Sequence, residues 1–61
     1  MNHAEDAKRH RYMAEEMRAR GELLADEGIR AQYFRIADSY DELADNEEQL
    51  VANLKNSRAA R

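Results

Sequence analysis

The sequence predicts an all-α protein: an antiparallel helical hairpin of two helices, with a turn near residues 25–28, whose copies pair into a dimeric four-helix bundle. Three observations predict it. The 61 residues contain no Pro and two Gly and are rich in Ala, Glu, Arg, Leu and Asp, while strand formers are scarce. Apolar residues recur at alternating three- and four-residue steps along most of the chain. The two halves keep that period in different phases, so one straight helix cannot turn both stripes to one partner.

The first helix is expected from about residue 4 to 24. Ala7, His10, Ala14, Met17, Gly21 and Leu24 form a heptad seam, with Met13 and Ala25 on its flanks. Gly21 lies mid-seam; as a terminator it would strand Leu23 and Leu24 in a loop, so it reads as an interior glycine accepted for packing. The turn follows. Asp26 suits an N-cap, with Glu27 in the first turn where the helix dipole favours an anion. Gly28 closing the first helix is the competing assignment, and we prefer Asp26.

The second helix is expected over about 27–54, with residues 55–61 as a frayed tail of the single module 1–61. Ile29, Tyr33, Ile36, Tyr40, Leu43, Glu47, Leu50 and Leu54 continue the alternating steps, and Ala37, Ala44 and Val51 widen the face. Continued into this half, the first register would bring Arg35, Asp38 and Glu42 onto the seam; the two faces differ by roughly 120° at 100° per residue. A short connection between such helices makes an antiparallel hairpin. Folding about residues 26–27 sets Gly21 against Tyr33, Met17 against Ile36, Ala14 against Tyr40 and His10 against Leu43. Small residues then meet large ones, as a packed layer requires.

The same pairing exposes a shortfall. Eleven of the 26 apolar residues are Ala, and no disulfide or cysteine metal site can staple so small a core. Leu50, Val51 and Leu54 find no large apolar mate on the first helix, and left bare they would form a sticky patch. A second copy or a larger protein partner would cover them together with the Tyr33, Ile36, Tyr40 and Leu43 seam. Tyr12, Leu23 and Phe34 lie off both seams; they read either as scattered surface apolars or as a second contact surface.

The segments Arg11-Tyr12-Met13-Ala14-Glu15-Glu16-Met17-Arg18 and Ala37-Asp38-Ser39-Tyr40-Asp41-Glu42-Leu43-Ala44 resemble motifs of a group of short, uncharacterised bacterial α-helical proteins. Those carry a Y-R-x-x-A-E-E-x-R core, an Asp-Pro-type turn and an A-x-x-Y-x-x-L-A repeat. The resemblance spans roughly residues 11–48 and implies a helical hairpin, with no activity attached. Here Arg11 precedes Tyr12, and Glu27 stands where the turn Pro would be.

Chemistry finds little to work with. No Glu precedes either His by three residues, so the carboxylate-bridged di-iron pattern is absent. His3, Asp6 and His10 share a face and could suggest a metal site; a terminal His3 and a seam His10 are the simpler reading. Glu47, at a seam position, reads either as a polar pair with His10 or His3 across the hairpin or as a half-exposed carboxylate. Phosphate-cradling Gly loops are missing, and neither Ser lies at helical spacing from a His. Tyr33 and Tyr40 read as core aromatics with hydroxyls at the rim. No enzyme, cofactor or metal is expected.

Charge is the remaining lead. Residues 1–20 carry net +1, 21–50 carry −7 and 51–61 carry +3. A hairpin brings its ends together, so Lys8, Arg9 and Arg11 would gather near Lys55, Arg58 and Arg61, opposite an acidic turn half. Such a basic end could bind an anion or nucleic acid, which makes a small nucleic-acid-binding regulator the alternative to an interaction module. The net charge of −3 counts against nucleic acid. No apolar run spans a membrane and no secretory signal is visible, so a cytoplasmic place is the default expectation.

Overall fold

The computed structural model describes residues 2–59. It is all-helical: α1 (His3–Glu22) and α2 (Glu27–Ala59) pack along each other as an antiparallel hairpin. Each helix starts at a side-chain cap. Asn2 Oδ1 accepts from the amides of Ala4 (3.1 Å) and Glu5 (3.2 Å), and Asp26 Oδ1 accepts from the amide of Ile29 (2.9 Å). Both oxygens occupy amides that the first turn leaves without partners. Asp26 is thus the N-cap of α2, and its own carbonyl accepts from Arg30 N (2.9 Å).

The first helix stops at Glu22, two residues short of the expected end, because the reversal needs Leu23 to Asp26. Leu23 and Leu24 bond back to the carbonyls of Arg20 (3.2 Å) and Gly21 (3.1 Å), the tight ending common at helix C-termini. Among the described residues none has a positive φ, so neither glycine closes α1 in the left-handed way. The second helix runs on to Ala59, past the expected end at residue 54. Lys55 to Ala59 include no Pro or Gly to stop it, and basic residues near a helix C-terminus suit its dipole. Its 33 residues against 20 in α1 leave its end running past α1; the molecule is 54 Å long and about 15 Å across.

The core lies to one side of where the sequence centres it on α2. The buried residues are Ala7, Ala14 and Gly21 on α1 and Ala37 and Ala44 on α2, each row at heptad spacing. Ile29, Ile36 and Leu43, expected inside, are 44–46% exposed, and Leu50, expected to lack a mate on α1, is 47% exposed. Helices approach most closely where side chains are smallest, and rows of Ala and Gly on the two helices favour a close approach. Space is tight at Gly21: a Cβ there would stand 2.8 Å from Phe34 Cε1 and 3.1 Å from Tyr33 Cβ. Larger residues are forced to the sides of this row. The cross-helix pairing stays close to the expected one: Gly21 meets Tyr33, and His10 contacts Tyr40 and Glu47, on either side of its expected place opposite Leu43.

Two outcomes follow for stability. Ala44→Leu, at a fully buried position, should lower unfolding free energy by about 2 kcal/mol through overpacking, read from urea melts of helical circular dichroism. Gly21→Ala should also destabilise despite a propensity gain of about 1 kcal/mol, because the added methyl meets the Phe34 ring.

Candidate interaction surface

The Ala/Gly row divides the hairpin into two unlike edges. On one, Arg11 and Arg18 of α1 reach across to carboxylates of α2. Arg11 Nη1 donates to Asp41 (3.2 Å), and its Nη2 donates to Asp45 (2.7 Å) and to Glu48. Arg18 Nη2 donates to Asp38 (2.9 Å) and Asp41 (2.7 Å). Asp41 thus sits between two guanidinium groups, chiefly that of Arg18, which hold its carboxyl below the usual aspartate range. Arg11 and Arg18 are themselves held above the ordinary arginine value by these hydrogen bonds. These groups are solvent-accessible, so the network fixes which edge is which more than it stabilises.

On the other edge the seam is aromatic and aliphatic. The His10 ring stacks on Tyr40 (centroids 5.9 Å apart, planes 21° apart). Its Nδ1–H donates to Glu47 Oε1 at 2.7 Å, with side chains 25% and 16% exposed. Beyond Tyr33 and Tyr40, which are half-buried, Ile29, Ile36, Leu43 and Leu50 line up at intervals of seven and face outward. On α1, half-buried Met13 and Met17 stand on this same side. The face is therefore continuous and apolar along α2, with His10 and Glu47 at the seam and Asp6 and Arg20 on α1 as charged members.

The remaining expected residues scatter. Val51 lines a groove with Ala4, Ala7, Lys8 and Glu48, so α1 does give it a mate, a small one. Leu54 is exposed. Tyr12 points outward from α1 and donates to Glu16 Oε1 (2.8 Å), which raises the pKa of its hydroxyl. Leu23 lies in the turn and is 86% exposed. Phe34 packs over Gly21, with the Arg30 guanidinium 5.7 Å from its ring centroid. Ile29 joins the apolar row unforeseen as a contact residue; its seven-residue spacing to Ile36 was the available signal, read as core.

The basic end is also reapportioned. Arg11 is engaged by three carboxylates, and Arg9 bonds Asp6 at 2.7 Å. Lys8 and Lys55 are exposed. Arg58 lies in α2, and Arg61 lies outside the described residues. Among the described residues no group of three His, Cys, Asp or Glu could hold a metal ion, and no helix is long and apolar enough to cross a membrane. Comparison of the chain with protein-family models, curated proteins and solved structures gives no match.

The lowered Asp41 carboxyl has a signed consequence. Its contribution is complete above the ordinary aspartate value of 3.8 and is lost as pH falls through that value towards the lower folded-state one. Asp41→Asn should therefore be less stable than wild type at neutral pH, with the gap closing in acid. Thermal melts across an acid pH series measure it.

Proposed function

We propose that the chain is a non-enzymatic protein–protein interaction module that works by self-association, its apolar face buried against a second copy in a dimeric four-helix bundle. In this role it serves as a scaffold or small accessory subunit of a larger assembly. One observation carries the reading: a heptad row of four large aliphatics, Ile29, Ile36, Leu43 and Leu50, stands half-exposed beside a buried core made only of Ala and Gly. Such a strict seven-residue repeat is the pattern of a coiled-coil seam that faces a partner.

Area supports it. The accessible surface is 4954 Å², whereas a compact monomer of 7.1 kDa is expected to expose roughly 4,100 Å². The surplus, about 850 Å², matches the ~800 Å² that each partner gives up in a standard interface. Nucleic-acid binding through the basic end is less well supported, because Arg9 and Arg11 already hold carboxylates of this chain.

Sedimentation equilibrium tests the reading. The wild-type chain should dimerise at micromolar concentration. Leu43→Asp, which places a charge in each copy of the seam, should weaken association by at least ~100-fold, since burying one such side chain contributes roughly 2 kcal/mol per copy. Wild type that stays monomeric at high micromolar concentration refutes the proposal.

A further inference from the structure

Accepting self-association through this face, its residue pattern goes further and selects one dimer arrangement. Contacts fix which rows share the face. His10, four residues before Ala14, meets Tyr40, three after Ala37. Arg11, three before Ala14, meets Asp41, four after Ala37, on the other edge. The residues one before each buried Ala therefore lie on the His10–Tyr40 side, at about 100° from the row. On α2 that row is Ile29, Ile36, Leu43 and Leu50; on α1 it is Asp6, Met13 and Arg20.

Both rows are self-complementary when reversed. Turned end for end about Met13, the α1 row sets Asp6 against Arg20 and Arg20 against Asp6. Turned about the midpoint of Ile36 and Leu43, the α2 row sets Ile36 against Leu43 and Ile29 against Leu50. A two-fold interface has this property: each contact occurs twice, with partners exchanged.

The contacts also allow the two centres to lie at one height. The cross-helix contacts join residues whose numbers sum to between 50 (His10–Tyr40) and 59 (Arg11–Glu48, Arg18–Asp41). Met13 is thus level with α2 somewhere between residues 37 and 46, a stretch that contains the Ile36–Leu43 midpoint. A single axis can pass through both.

We propose that two copies pair face to face about a two-fold axis perpendicular to the helices, α1 on α1 and α2 on α2, each pair antiparallel. The axis passes at Met13 and between Ile36 and Leu43. The other closed bundle, with its axis along the helices, lays α1 of each copy on α2 of the other. At the same heights, Asp6 then meets Leu43 or Leu50 and Arg20 meets Ile29 or Ile36, so each copy sets two charges, paired within their own helix to Arg9 (2.7 Å) and Glu16 (3.6 Å), against aliphatic chains. That mismatch decides between them.

The chain has no cysteine, so single introduced thiols report geometry without background. In full-length chain under mild oxidation, Met13→Cys should form a disulfide dimer with itself. Ile36→Cys and Leu43→Cys should each link poorly alone, since like residues sit ~10 Å apart along the axis, beyond the ~7 Å Cα limit of a disulfide. Mixed and re-equilibrated, those two should cross-link efficiently. Asp6→Arg and Arg20→Asp should each weaken the dimer by about three- to tenfold, and the doubly exchanged chain should recover it; a role for Asp6 confined to its Arg9 bond predicts no recovery. Helical circular dichroism confirms that each variant folds. Met13→Cys linking instead to Ile36→Cys or Leu43→Cys overturns the arrangement while leaving self-association standing. Efficient self-linking of Ile36→Cys indicates parallel pairing and overturns it likewise. A chain that sediments as a monomer overturns both this arrangement and the self-association beneath it.

Discussion

Everything in this hairpin depends on how closely the two helices approach along Ala7, Ala14 and Gly21 on one side and Ala37 and Ala44 on the other. At this row the side chains between the helices are the smallest available, and at Gly21 an added methyl group would displace the Phe34 ring. Dispersion along so tight a contact is favourable, but the row buries little apolar area, because Ala has little to bury. A chain built this way gains interhelical precision and gives up core volume. Its larger side chains flank the contact, and there is too little of α1 to cover them.

The division into edges follows from the same geometry. Once the small row occupies the interhelical line, residues three and four positions away fall to either side of it. On one side they are Arg11, Arg18, Asp41 and Glu48; on the other, His10, Tyr33, Tyr40 and Glu47. The charged edge is exposed and its pairs are individually weak, yet it makes that edge expensive to desolvate and so a poor place for another chain to bind. The apolar edge carries less of this penalty: His10 and Glu47 satisfy each other, and its charged residues Asp6 and Arg20 lie on α1, off the aliphatic row of α2. The chain thus marks, by charge alone, which of its two edges is available.

Much of this was legible in the sequence. Element type, hairpin topology, the Asp26 cap and the packing role of Gly21 follow from periodicity and capping chemistry, which act locally. The centre of the core was not legible. Periodicity locates an apolar stripe but weights Leu and Ile above Ala, so it centred the α2 seam on Ile36, Tyr40 and Leu43. Closest approach is set by the smallest residues instead, and Ala37 and Ala44 won. The excess apolar surface was foreseen at Leu50 and Leu54 but runs the whole length of α2 from Ile29, for the same reason. The Asn2 cap was not legible from periodicity, which carries no information about the residue before the first turn. The proximity of Glu47 to His10 could be anticipated from the hairpin; the tilt of both onto the apolar side could not, since it depends on the shifted register.

The short connection has a kinetic meaning. Contacts near the turn, such as Gly21 with Phe34, close a loop of about 13 residues, whereas Ala7 and Val51 at the far end close one of about 44, an entropic difference of about 1 kcal/mol. The cheapest order of formation is a zipper that starts beside the Asp26 cap and runs outward. The apolar row forms along the same path, Ile29 first and Leu50 last. The apolar face is therefore completed late in intramolecular folding, and its end nearest Leu50 is the last part to form.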